Sequence, residues 1–232
     1  MTWLSAIASS LLLVNAAAAA VVSGSVSLQG GKAGAGQDAS GVVVWLEPVG
    51  SEPRKPDPKR AILLQKEKTF IPHVLAVPVN SSVEFPNSDP IFHNAFSNFS
   101  GQLFDLGLYP PGQSRAVKFR RPGIVRVFCN IHPHMSAVIA VLSTPYFDVT
   151  GPDGSFRMLD VPPGEYTMRI FHERSTEATL LSLQRNLRIT ADTAIPKVQV
   201  SEAGFIPLPH KNKYGKEYPA GAGQDRPGYS RR

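Results

Sequence analysis

Cys129-Asn130-Ile131-His132-Pro133-His134-Met135 is the stretch on which the reading turns. Cys129 is the one cysteine among 232 residues, and an imidazole and a thioether follow it at three-residue intervals. Thiolate, imidazole and thioether are three of the four donors of a mononuclear site for a soft, redox-active metal. The missing donor is a second imidazole from elsewhere in the chain. His93 is the candidate, at the end of Phe85-Pro86-Asn87-Ser88-Asp89-Pro90-Ile91-Phe92-His93. Strand-like runs precede both segments, so the pattern predicts two loops meeting at one end of a β-sandwich, where a stiff scaffold imposes donor geometry. Pro133 would stiffen the second loop by fixing φ and removing a hydrogen-bond donor.

Two imidazoles and a thiolate in a plane, with a long axial methionine, give copper a geometry tolerable in both of its common oxidation states. Thiolate and thioether favour Cu(I), imidazole also accepts Cu(II), and hydrogen bonds around the sulfur tune the potential. His93, Cys129, His132 and Met135 are therefore the predicted ligands of one mononuclear type 1 copper site. Four protein donors leave no open position for a substrate, which a catalytic metal would need. The expectation is a one-electron carrier and not an enzyme. A nucleophilic Cys129 activated by His132 or His93 is a competing reading, but the spacing suits coordination better than proton abstraction.

Composition fits a β protein. With 21 Pro, 19 Gly and many short Val/Ile/Phe-rich runs, long helices are not expected, and the chain is long enough to bury a sizeable core. Residues 1–20 read as a secretory leader, with an apolar run from Trp3 to Val14 and an Ala18-Ala19-Ala20 cleavage site. No Lys or Arg precedes that run, and it falls short of the ~20 residues a membrane-spanning helix needs. A periplasmic or otherwise exported protein with no transmembrane span in its mature chain is the expectation. In an oxidising compartment a lone thiol has no internal disulfide partner, and coordination would protect it.

The formal net charge is +6, and residues 204–232 hold six basic side chains (Lys211, Lys213, Lys216, Arg226, Arg231 and Arg232) against Glu217 and Asp225. The remainder is nearly neutral, which argues against a nucleic-acid partner for the folded part. The tail is expected to be a solvated basic end, with a weak contact to an acidic partner or an anionic surface as its second reading.

Strands are predicted from Val21 to Leu28 and Val42 to Leu46, then from Ala61 to Gln65, Phe70 to Val79, Ser82 to Phe85, Arg115 to Phe119, Ile124 to Phe128 and Ala137 to Leu142. Beyond Thr144, Asp153-Gly154 is a hairpin signal between two strands, and Tyr166, Met168 and Ile170 alternate with polar residues. Further strands are expected at Thr179 to Ser182, Asn186 to Ile189 and Pro196 to Val200. The predicted division is a leader (1–20), N-terminal strands with a Pro-rich loop (21–60), a metal-binding domain (61–143), a small second sandwich (144–203) and the basic tail (204–232). The N-terminal strands could join the second sandwich.

With these residues in view, the chain resembles cupredoxins of the plastocyanin/amicyanin type. Cys129-x-x-His132-Pro133-x-Met135 is similar to the short amicyanin loop. The longer pattern of Phe85-Pro86-Asn87 through His93, Phe104-Asp105-Leu106-Gly107 and Cys129-Asn130-Ile131-His132 resembles exported, methylamine-utilisation-type plastocyanin-like proteins. Asp153-Gly154-Ser155-Phe156 and Val161-Pro162-Pro163-Gly164-Glu165-Tyr166 resemble the carboxypeptidase-regulatory-like (transthyretin-like) β-sandwich that follows the cupredoxin domain in those proteins. The resemblance implies an all-β fold, a Greek-key cupredoxin sandwich followed by that smaller one. It also implies electron transfer through His132 to a transient protein partner such as a dehydrogenase or cytochrome. Asn94 would support the thiolate loop from outside the ligand set, and Ile131 and Pro133, with Pro90 and Ile91, would form the docking patch.

Other histidines carry weaker signals. His134 reads as a solvent-facing loop residue, His73 as structural, His172 as a polar strand terminus beside Glu173, and His210 as part of the tail. Two other functions compete with the carrier. One is copper storage or delivery; the other is a β-sandwich binding module with a structural copper site.

Overall fold

After Ser136, the run Ala137-Val138-Ile139-Ala140-Val141-Leu142 is apolar at every position. Alternate side chains of a strand point to opposite faces, so such a run must be covered on both sides. In a computed structural model, which describes residues 18–30, 38–50, 54–98, 102–206, 210–219 and 222, it is.

The chain begins with β1 (Ala20–Gln29) and β2 (Val43–Pro48). Its middle holds β3 (Arg60–Ile62), β4 (Leu64–Lys66), β5 (Thr69–Ile71), β6 (Val74–Pro78), β7 (Ser82–Pro86), β8 (His93–Ser97), β9 (Phe104–Tyr109), β10 (Ser114–Lys118), β11 (Gly123–Phe128) and β12 (Ser136–Leu142). It continues through β13 (Phe147–Val149), β14 (Ser155–Val161), β15 (Gly164–Phe171), helix α1 (Glu177–Ser182), β16 (Arg185–Ile189) and β17 (Thr193–Ser201).

Four sheets stack around three apolar layers. The sheet β14-β1-β17 faces β13-β2-β15-β16 across a core that includes Val22, Val44, Leu46, Met158, Met168 and Val198. At the other end, β10-β7-β3 faces β6-β12-β11-β8-β9 across Val83, Phe85, Val125, Val127, Ile139 and Val141. Between the two sandwiches, Val43 and Phe171 meet Val138, Ala140 and Leu142, with Trp45, Val74 and Phe147 packed beside them. Strand β12 thus sends Ala137, Ile139 and Val141 into one core and Val138, Ala140 and Leu142 into the next.

The N-terminal strands pair with the C-terminal ones. β1 runs antiparallel to β14 and parallel to β17, and β2 is antiparallel to β13 and β15. The sandwich nearer the termini is therefore built from both ends of the chain, with β3 to β12 between its halves. The expected leader lies outside the described residues except for Ala18 to Ala20, and Ala20 already pairs with Val161.

Three local expectations are corrected. Asp153-Gly154 does not close a hairpin: β13 pairs in one sheet and β14 in the other, so the turn crosses between layers. Gly154 has φ +75°, and a Cβ there would lie 2.1 Å from the Val26 carbonyl oxygen; the close approach of β1, more than hairpin chemistry, demands glycine. Thr179 to Ser182 is helix, since the Thr176 side chain accepts from the Thr179 amide and Glu177 favours the first turn. Finally, β9 has no counterpart among the predicted strands; its partner is β8, with a register shift between Asn94 and Phe96. Among the described residues no helix is long and apolar enough to cross a membrane.

Candidate metal centre

β8 and β11 are antiparallel neighbours, with Phe128 opposite Phe96. Continued one residue past the end of β11, that register sets Cys129 opposite Ala95, two residues from His93, which opens β8 instead of sitting in the preceding loop. The next residues turn back tightly: the Met135 amide donates to the His132 carbonyl (3.1 Å) and the Cys129 amide to the Met135 carbonyl (3.0 Å). β12 then leaves in the opposite direction.

This brings three donors together. Cys129 Sγ is 3.9 Å from His93 Nδ1 and 3.5 Å from His132 Nδ1, and all three donor atoms lie within 4.8 Å of one another. Bonds of about 2.3 Å to sulfur and 2.0 Å to nitrogen, at trigonal angles, would separate sulfur from nitrogen by roughly 3.8 Å. The observed spacings match that size. His93 and Cys129 are fully buried and His132 is half-buried, so the site has one partly open side. Met135 is buried in the adjoining core.

Protonation suits coordination. Burial pushes His93 down against the pull of Asp89, and burial with the charges of His93 and Lys68 pushes His132 down to about 4. Both shifts favour the neutral ring, the form that can offer a lone pair. Burial pushes the Cys129 thiol up, offset in part by the backbone N–H groups of Ile131, Asn94 and His132 that face its sulfur. A bound cation would reverse that balance and hold the thiolate.

The surroundings hold this geometry. His93 Nε2 lies 2.7 Å from Asp89 Oδ2, which assigns the ring proton to Nε2 and leaves Nδ1 free to face the sulfur. Asp89 is itself pinned by the amides of Glu67 (2.6 Å) and Lys68 (2.8 Å). Those two residues form the β4–β5 turn with φ of 55° and 56°, a conformation that disfavours non-glycine residues. The hydrogen bonds to Asp89 offset that strain. Burial alone would raise Asp89, but hydrogen bonds from Lys68, His93 and Glu67 outweigh it and hold the carboxyl below its ordinary value. Asn94, fully buried, accepts from the Asn130 amide (3.2 Å) and donates to Asp105 (2.8 Å), tying the Cys129–Met135 loop to β8 and β9.

Of the predicted residues, His93, Cys129 and His132 converge, and Met135 lies at the end of the same loop. Of the expected docking patch, Ile131 and Pro90 are exposed and Pro133 and Ile91 are half-buried. His134 is exposed. His73 bonds Glu173 of the other sandwich (2.8 Å) and the Ser136 carbonyl (3.1 Å), and His172 pairs with Glu202 (2.9 Å).

The tail needs correction. Residues 210–219 do not stand free in solvent but pack on the Cys129 strand, and Lys213 pairs with Asp105 at 2.7 Å; residues 223–232 lie outside the described residues. Sequence reading also missed Asp89, whose place four residues before His93 was the only available signal. The contacts of His210, Lys213 and Tyr218 had none.

A scan against protein-family models and a search of curated proteins each found no match. Among solved structures, a copper-containing nitrite reductase from Thermus scotoductus is 27% identical over 41% of this chain, with a TM-score of 0.35. The chain covers only 25% of that enzyme's own length. A purple cupredoxin from Nitrosopumilus maritimus is 24% identical over 37% of this chain and 100% of its own, with a TM-score of 0.33. Amicyanin from Paracoccus versutus is 16% identical over 42% of this chain and 97% of its own, with a TM-score of 0.34.

Proposed function

We propose that this protein is an exported, cupredoxin-type one-electron carrier whose copper would be held by His93, Cys129, His132 and Met135. The observation that carries the reading is the meeting of one buried thiol with two imidazoles at coordination spacing, beside a buried methionine. The donor set selects among metals: thiolate and thioether are soft, and the His2Cys set with a weak methionine suits copper better than the harder divalent ions. Bound there, copper would supply a one-electron couple.

The chain's own residues do the rest. Asp89 and the Glu67-Lys68 turn orient His93, while Asn94 and the short Cys129–Met135 loop hold the sulfur. A site built this rigidly changes little when its charge changes by one, which keeps reorganisation small. His132, half-buried between exposed Ile131 and half-buried Pro133, would be the exit for the electron, with Ile131 and Pro133 as the docking surface for a dehydrogenase or cytochrome. Small, weak interfaces suit rapid turnover. The sandwich of β1, β2 and β13 to β17 would be the regulatory-like module, a scaffold for the carrier.

Addition of Cu(II) to the purified chain tests this. An intense thiolate-to-copper visible band with narrow EPR hyperfine splitting, absent from Cys129→Ser, is the expected result. A colourless complex indifferent to that substitution would overturn it. A coloured complex that cannot be cycled between oxidation states would favour copper storage or delivery.

A further inference from the structure

Three successive residues at the root of the metal loop are each gripped by the C-terminal segment 210–219. The His210 ring stacks on Phe128, with centroids 4.0 Å apart and planes 25° from parallel. The Tyr218 hydroxyl donates to the Cys129 carbonyl at 2.7 Å. The Lys213 amide donates to Asn130 Oδ1 at 3.0 Å, and its ammonium reaches Asp105, the same carboxylate that holds Asn94.

The segment is folded for this task. Asn212 Oδ1 accepts from the amides of Tyr214 (3.0 Å) and Lys216 (3.1 Å), and the Asn212 amide donates back to the Lys216 carbonyl (2.9 Å). Gly215 supplies the left-handed residue, with φ 73°. The turn brings the ends of the segment together, so that Tyr218 Oη lies 3.2 Å from His210 Nδ1 and the two rings meet edge to face. A solvated tail would need none of this.

We infer that residues 210–219 are a clasp of the metal centre, in which Tyr218 is a positioning residue that holds the backbone of Cys129 and through it the sulfur. Cys129 is held at its amide by Met135 and at its carbonyl by Tyr218, so both peptide groups that aim its side chain are fixed. The hydroxyl acts on the thiolate ligand without touching it. His210 also covers Phe128 at the root of the loop, beside the carbonyl that Tyr218 holds. Only the spectroscopic arm of the test rests on the copper reading.

The test compares the full-length protein with Tyr218→Phe, which loses only the hydroxyl, with His210→Ala as a second variant and, as control, Tyr166→Phe, which loses a hydroxyl bonded to the Pro162 carbonyl in the other sandwich. Metal-free, the Cys129 thiol of Tyr218→Phe should react with a thiol reagent roughly fivefold faster than wild type, the factor one net hydrogen bond is worth. Loaded with Cu(II), the same variant should show a displaced thiolate-to-copper band and a changed midpoint potential while its circular dichroism stays that of wild type. Unchanged reactivity, band and potential in both Tyr218→Phe and His210→Ala would overturn the clasp. Faster thiol reaction without any thiolate-to-copper band in wild type would sink the copper reading and leave the clasp standing.

Discussion

The two sandwiches share an architecture and differ in what they bury. The sandwich of β14-β1-β17 and β13-β2-β15-β16 has a large apolar core, and the few polar side chains buried with it, Thr144, Thr150, His172 and Ser175, are scattered and do not converge on one point. Between β10-β7-β3 and β6-β12-β11-β8-β9 the apolar layer ends in buried Asn87, Asp89, His93, Asn94 and Cys129. Burying polar groups is costly unless each is partnered. Here the partners form chains: Asn87 accepts from the Asp89 amide, Asp89 binds His93, and Asn94 joins Asn130 to Asp105. The first sandwich illustrates what stability alone requires, and the second bears the added cost of a site.

Crossed substitutions break that comparison most sharply. Cys129→Ser should abolish the thiolate-to-copper band completely while unfolding stays cooperative, read by visible spectroscopy and thermal melting. Met168→Ala, in the apolar core of the other sandwich, should cost about 2–5 kcal/mol in denaturant unfolding and leave the copper spectrum unchanged. A spectral change in the second variant would mean that the two cores are coupled through the layer between them.

A smaller effect follows from the chain of partners around His93. Asp89→Asn should weaken copper binding by about 10–100-fold, measured by competition with a chelator, because the ring loses its carboxylate partner. Unaltered affinity would show that burial alone orients His93.

The smallest effect concerns the contact between the sandwiches. The hydrogen bond to Glu173 raises His73 above its ordinary value; the folded protein holds that proton more tightly than the unfolded chain. The contribution is therefore complete below about pH 6.5 and disappears as pH rises through the raised value. Burial would raise Glu173, but His73 outweighs it and holds it low, so the contact also fails as pH falls through that lowered value. Because His73 is half exposed, about 0.5 kcal/mol remains after screening by solvent. Unfolding at pH 6 and pH 9 should show that difference in wild type and lose it in His73→Ala.

Much of the site was legible because its chemistry is local. Cys129, His132 and Met135 occupy one tight loop, and His93 follows a strand that could be recognised by its apolar pattern. Asp89 escaped notice because its role depends on the Glu67-Lys68 turn, a contact across the fold. Helix α1 was read as strand since Thr179, Leu180 and Leu181 look extended until the Thr176 cap is recognised. The Asp153-Gly154 turn was read correctly as a turn and wrongly as a hairpin, because turn chemistry describes the bend and not which sheets it joins.

By itself the sequence determined the β character, through short alternating apolar runs, and the candidate donors, through a thiol, an imidazole and a thioether at three-residue spacing. Tertiary structure alone decided the strand partnerships, since β1 finds β17 across most of the chain and no local pattern encodes so distant a pairing. It also decided that the C-terminal segment lies against the metal loop. Charge and composition predict solvation for such a segment, but Phe128, the Cys129 carbonyl and Asn130 offer it a surface that exists only once β11 and β12 have turned the loop between them.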